Sequence, residues 1–379
     1  MEFHKGGRQC YVSCLARDMD SARAALSMAR AEMDHAPALA EDPRTSRSGC
    51  GEFGMAEGQE LQPDIAFIQA GVRDALTRWL PEKHEVRSIR LTQRCVRAAQ
   101  GGGRADLVSS NHLGFELSVT VVSRGIPVLV TRYASGVHSI DLDELAKELR
   151  VRLFSATQDA RDECPPGYSI LLPTAAAQLL QGLISVISSD PLEGADAWAS
   201  SLVDFGADPR SYSGRYFDHE GTPTSPFVLL DSDGRQATMR TLRSRVGPGD
   251  QDDDGPLTGH AAWAGWQNFP QASPSSVAFS PSSHSVNFYH EAAESQQVLT
   301  DIRPLGVSQL SGGDAVSFRA LRCRRRGNSY QALAPLVLVG HIRQFLKSID
   351  AVSGVISFMP GDISVGASSV VLDATRLTA

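Results

Sequence analysis

The sequence predicts an α+β chain of two lobes, an amino-terminal α/β lobe with an antiparallel sheet and a β-rich carboxy-terminal lobe. Three observations carry this expectation. In PDIAFIQAGVRDALTRWL, Ile65, Ile68, Val72, Leu76 and Trp79 recur at three- and four-residue spacing, the period of an amphipathic helix. EVRSIRLTQRCVRAA, LGFELSVTVVSRG and IPVLVTRYASG are β-rich runs separated by glycine-containing loops at 101–104 and 124–125, the pattern of antiparallel strands. From about Ser188 onward, long loops, short strands and turn signals replace both patterns, and the division falls near residue 165.

In chain order, residues 1–62 hold one short Ala-rich helical run, SARAALSMARAEM. A Pro-, Gly-, Ser- and Glu-rich stretch without sustained periodicity follows, so this part is predicted to be a partly disordered leader. Residues 63–165 form the first lobe, closed by a helix at 140–160. Residues 166–379 form the second. There YSILLP reads as a buried strand, and TAAAQLLQGLISVISS is apolar enough to be a largely buried helix. The tail predicts a hairpin around Gly327–Asn328, the helix HIRQFLKSI and two terminal strands. The terminal strands and the apolar run Leu333–Val339 are expected to need cover, and a heterodimer partner is expected to supply it.

A chain of 379 residues with 42% hydrophobic content can bury a substantial core. Its net charge of −7 argues against neutralising nucleic-acid phosphates or lying on anionic lipid as its main task. The first residues show no apolar signal segment, and no stretch reaches the length of a spanning helix, so the chain is expected to be cytoplasmic. The six cysteines, at 10, 14, 50, 95, 164 and 323, include no CxxC pair, which suggests reduced thiols rather than a disulfide framework or zinc knuckle.

Several motifs invite chemical readings. His219–Glu220 has half the pattern of a zinc-binding helix, but such a helix needs a second histidine on the same face, and Gly221–Thr222–Pro223 would break it. FYHEAAES fails because Glu294 and Ser295 stand where that histidine would have to be. Asp250, Asp252, Asp254 and Gly255 match the opening of an EF-hand loop, yet Ala261 occupies the bidentate carboxylate position, so a solvated acidic loop is the better reading. Arg87, Arg90, Arg94 and Arg97, and Arg319, Arg322, Arg324, Arg325 and Arg326, read as solvated strand faces or a partner-facing patch. No Walker loop or GxSxG elbow is present.

The stretch FDHEGTPTSPFVLLDSDG resembles the D-x-E-G-x-x-T … D/N-G segment of the TldD/PmbA (TldE) family, and Thr258–Gly259–His260–Ala261 resembles that family's S/T-T-G-H/N-A segment. YSILLPTAAAQLLQGLISVI, PLVLVGHIRQFLKSIDAVS and ISVGASSVVLDATRL resemble further family segments, in the family's order, across residues 85–377. The resemblance implies a two-lobed TldD/PmbA-like fold. Family members of TldD type carry HExxxH on the helix and a later cysteine; TldE-type subunits lack these ligands and pair with them. The aligned positions here are Gln181, Gly182, Val186 and Val365, none able to hold zinc or iron as thiolate, imidazole or carboxylate.

The resemblance therefore implies a non-catalytic subunit, without a cofactor of its own, that pairs with an HExxxH-bearing TldD-like partner holding the metal. The pair would act on flexible peptides or small amide-bonded conjugates, with natural-product biosynthesis as a setting. Asp218, His219, Glu220, Thr224, Thr258, Gly259 and His260 would line the shared substrate chamber; the competing reading makes 218–224 a turn that orders the following strand. The alternative function is a stand-alone or homodimeric peptide-binding protein without catalysis.

Overall fold

The computed structural model describes residues 2–5, 8–11, 27, 53–54, 65–80, 84–102, 105–134, 136–157, 164–187, 200–206, 208, 211, 213–220, 222–233, 236–241, 257–263, 270–281, 297–310, 313–327, 329–354, 356–359 and 363–377. Most of the leader, the acidic EF-hand-like loop and FYHEAAES lie outside the described residues. Near the start, β1 (Glu2–Lys5) and β2 (Arg8–Tyr11) pair as a small antiparallel hairpin.

The first lobe is built on β5 (Ala105–Ser123). One edge pairs antiparallel with β4 (Glu85–Gly102), and β6 (Ile126–Ala134) and the short β3 (Phe53–Gly54) pair with it as well. Alternation decides the faces. Leu117, Val119 and Val121 of β5 with Val128 and Val130 of β6 are buried beneath α1 (Ile65–Trp79) and α2 (Leu142–Thr157). In α1 the buried positions are Ile68, Val72, Ala75 and Leu76, close to the predicted stripe, whereas Ile65, which opens the helix, is exposed.

A six-stranded sheet dominates the rest. Its order is β15 (Ser329–His341), β14 (Gly313–Arg326), β13 (Gln297–Leu310), β7 (Tyr168–Leu171), β19 (Val370–Asp373) and β16 (Ile349–Val352). A five-stranded sheet runs β17 (Ser357–Met359), β18 (Ser364–Ala367), β12 (Ser276–Phe279), β8 (Leu202–Asp204) and β9 (Phe227–Leu230). β10 (Ala261–Trp263) and β11 (Pro270–Ala272) form a separate pair. The predicted hairpin is β14–β15, and α4 (Ile342–Ser348) is the predicted tail helix. Four strands rather than two follow it, because these strands are only three or four residues long and show little alternation.

The apolar helix predicted after β7 is α3 (Pro173–Ile187). Its Ala175, Leu179, Leu180 and Leu183 join residues of both sheets, among them Phe318, Leu338, Val277 and Val365, in one core. Close packing extends to Gly182: a Cβ there would stand 2.5 Å from the Phe318 ring, so no side chain fits. The run Leu333–Val339 is mostly covered by the chain itself, since Leu333, Leu336 and Leu338 are buried and Val337 is 48% exposed.

The first lobe and the later sheet meet at α2. Val151 packs with Leu172, Val298 and Cys323. Arg132 of β6 pairs with Glu148 of α2 in a site where both are buried, and the other Glu148 oxygen accepts from the Thr174 amide at the start of α3 (3.3 Å). Arg152 reaches Asp301 of β13 (3.3 Å), which also accepts from Gln178 of α3 (2.8 Å). These bonds fix α3 against both lobes. Among the described residues no helix is long and apolar enough to cross a membrane.

Candidate functional site

The buried faces of α3 leave one polar stripe uncovered. Thr174, Ala177, Gln178 and Gln181 recur at helical spacing and form one wall of a cavity of about 270 Å³. Met359, Ile363 and Val365, from β17 and β18 and the loop between them, form the opposite wall. Glu116 and Thr131, on the face of the first sheet turned away from α1 and α2, complete it. A second cavity of about 500 Å³ shares Gln178 and Gln181 and continues past Gly182 to Arg303, Pro304 and Gly306. Gln178 is pinned, donating to Asp301 (2.8 Å) and accepting from the Ile302 amide (2.7 Å). Gln181 is exposed on the ridge between the two cavities.

Gln181 and Val365, two positions that the sequence resemblance sets beside metal-ligand positions, thus line one cavity although they are far apart in sequence. Gly182 follows on the same ridge and lines the second cavity; Val186 lies on α3, and its side chain is outside the described residues. A carboxamide, a hydrogen and an isopropyl group do not make a zinc or iron site, and Glu116 is the one ionisable group among the described residues lining the smaller cavity. The residues present do not fit the metal. Among the described residues no trio of His, Cys, Asp or Glu is placed to hold an ion.

The loop residues singled out in the sequence assemble beside this cavity, into a knot. Asp218 is buried; its Oδ1 accepts from the amides of Glu220 (2.9 Å) and Thr222 (2.8 Å), and its Oδ2 from the amide of Ala261 (2.9 Å). The His219 amide donates to the Ala261 carbonyl (3.0 Å), which locks 218–222 onto 258–261. Thr258 Oγ1 accepts from the Arg240 amide (3.0 Å). Gly259 has φ +72°, and a Cβ there would lie 2.3 Å from the Pro223 carbonyl, so the close approach of the two loops requires glycine. Gly221 is outside the described residues.

A second carboxylate, missed in the sequence, organises the same knot. Asp204 is fully buried and accepts from the amides of Gly206 (2.8 Å), Ser275 (2.6 Å) and Ser276 (3.0 Å). His260 is buried beside it, its Nε2 3.4 Å from Asp204 Oδ2 and its ring 5.4 Å from that of Phe227. Neither ring nitrogen makes an aligned hydrogen bond, and burial pushes the imidazole below its ordinary value against the pull of Asp204. Burial thus disfavours the charged imidazole, which packs inside the knot. Burial raises the Asp218 carboxyl, opposed by its three amide donors and by Arg215; Arg215, itself lowered by burial, donates to the Ala261 carbonyl (3.3 Å).

The knot holds the cavity wall in place. Ser276 pairs with Ser364 and Val277 with Val365 across β12 and β18, Ser211 bonds Ser276 (2.5 Å), and the Ser213 amide donates to Ser364 (2.9 Å). Of the seven residues expected to line a chamber, only His219 is exposed. Thr224 and Thr258 are half-buried, and Asp218, Glu220, Gly259 and His260 are buried. The second arginine cluster is also not a solvated face throughout. Arg322 is buried and donates to Gln297 (2.8 Å) and the Ala334 carbonyl (2.6 Å), and Arg324 donates to Cys164. Arg87 and Arg90 are exposed as expected.

Residues 197–379 match the family described as PmbA/TldA metallopeptidase C-terminal domain. No curated protein matches the sequence. The fold is similar to that of TldE from Thermococcus kodakarensis, at 13% identity and a TM-score of 0.67, covering 98% of this chain and 88% of that one. It is also similar to a protein of Thermotoga maritima MSB8 described as a candidate modulator of a DNA gyrase, at 16% identity and a TM-score of 0.66, covering 98% and 87%. A protein of Bacteroides thetaiotaomicron VPI-5482 with the like description has 13% identity and a TM-score of 0.65, covering 98% and 86%. The chain thus carries a match to the PmbA/TldA carboxy-terminal domain in its second half and a fold like that of TldE along its length.

Proposed function

We propose that this chain is the non-catalytic, TldE-like subunit of a heterodimeric metallopeptidase or amide hydrolase. Its α3 cavity forms part of the wall of a chamber whose zinc or iron is held by the HExxxH helix of a TldD-like partner. The observation that carries this reading is the meeting of Gln181 and Val365 in one cavity. The shape around the family's ligand positions is kept, while the groups that could bind an ion or lower the pKa of its water are replaced. Flexible peptides or small amide-bonded conjugates are the substrate class, and natural-product biosynthesis is the proposed setting.

Such a subunit needs an interface, and a stable one buries at least about 1,000 Å². β15 is one edge strand of the larger sheet, and Val337 on it and Leu305 on β13 are exposed apolar side chains. Co-expression with a TldD-like chain bearing HExxxH is expected to give a co-eluting pair with amide-hydrolase activity that neither chain shows alone. A chain that elutes alone in the presence of that partner, or a partner equally active without it, would refute the proposal.

A further inference from the structure

We propose that the smaller α3 cavity is a receptor for the amino-terminal residue of a peptide, taking its ammonium group at Glu116 and a branched apolar side chain against Met359, Ile363 and Val365. The inference rests on reading this cavity as chamber wall, but not on the pairing itself. Charge decides the polar end. Among the described residues lining the cavity, Glu116 is the one charged side chain, so a carboxylate faces it. Its Oε1 accepts from Ser118 (3.3 Å), whose hydroxyl lies 2.9 Å from that of Thr131. Those hydroxyls hold one oxygen and leave Oε2 for a ligand. Of the nearby cations, Arg132 points to the opposite face of the sheet and is taken by Glu148, and Arg90, across from Ser118 on the Glu116 face, is exposed to solvent.

The apolar end follows from the opposite wall, where the three apolar side chains of Met359, Ile363 and Val365 stand together. Between the ends, Gln181 offers an amide donor and an amide acceptor, the complement of a peptide group. Size sets the reach. A volume of about 270 Å³ is below the roughly 300–1,000 Å³ of pockets that take whole drug-sized ligands, so one residue enters and the chain continues along the ridge past Gln181 into the larger cavity.

The test is calorimetric titration of the full chain with leucinamide, N-acetyl-leucinamide and glycinamide. Leucinamide is expected to bind, and acetylation or loss of the side chain should each weaken binding by about tenfold or more, the scale of one lost charged or apolar anchor. Glu116→Gln, near-isosteric on a half-buried strand position, should bring leucinamide down to the level of its acetylated form with an unchanged circular-dichroism spectrum. Val365→Ala should weaken leucinamide and leave glycinamide unaffected. No binding of leucinamide, equal binding of the acetylated form, or an unaltered Glu116→Gln titration overturns the receptor. A chain that pairs with its partner yet ignores leucinamide sinks the receptor alone. One that binds leucinamide yet never pairs sinks the subunit reading alone.

Discussion

Replacing Glu148 with alanine is expected to lower the unfolding free energy by about 3–5 kcal/mol, the scale for breaking a buried ion pair by removing one partner. Glu148 is 0% exposed and Arg132 6%, so the variant strands a guanidinium where water cannot reach it. It also removes the acceptor of the Thr174 amide, loosening the start of α3. Substituting both partners by leucine should recover most of the loss, since apolar packing replaces the pair without leaving a charge.

The pH dependence has a definite sign. Burial alone would raise the Glu148 carboxyl, but Arg132 and Arg152, with hydrogen bonds to it, hold it below its ordinary value of 4.5. A lowered folded value means that the carboxylate's contribution is complete above about 4.5 and is lost as pH falls through the folded value. The stability gap between the natural chain and Glu148→Gln should therefore be flat above pH 5 and close under acid. Chemical denaturation across this range measures it. A Glu148→Ala loss below about 1 kcal/mol would show that the pair does not join the lobes.

The second large effect belongs to the loop knot. Asp218→Ala removes the acceptor of three buried main-chain amides, each worth about 1–3 kcal/mol when left unsatisfied, so a loss of about 3 kcal/mol or more is expected. Asp218→Asn keeps one oxygen, and its loss should be smaller. Glu220→Ala and His260→Ala should likewise lower the melting temperature, because those side chains are 1% and 0% exposed, while turnover per intact complex holds. His219→Ala, at the exposed position, should leave stability alone. Measuring melting and turnover on one preparation separates the roles. A fall in turnover at normal stability for Glu220→Ala would return that residue to the substrate.

Much of the fold was legible because its signals are local. The stripe of α1, the alternation of β5 and β6, the apolar α3 and the turn between β14 and β15 each lie within one continuous segment. β13 was missed because Pro304 interrupts it and its pairing with β14 shifts register at Gly306, so no clean alternation survives. The site divides the same way. The order of family-like segments led to Gln181 and Val365, and the spacing from Asp218 to His260 marked two loops that do pack together. Asp204 and Glu116 carried no signal, because their partners lie elsewhere in the chain: Ser275 and Ser276 for one, a cavity closed by α3 and β18 for the other. Burial of Glu220 and His260 also depends on that long-range packing, which motif spacing does not encode.

If this subunit keeps the shape of the family's site and leaves the metal to its partner, metal content is the decisive quantity. Zinc and iron would be measured in the chain purified alone and in the complex purified with an HExxxH-bearing TldD-like partner. Well under one ion per isolated chain is expected and about one per heterodimer, lost when a histidine of the partner's motif is substituted and retained in Gln181→Ala of this chain. Stoichiometric, tightly bound zinc or iron in the isolated chain would contradict it.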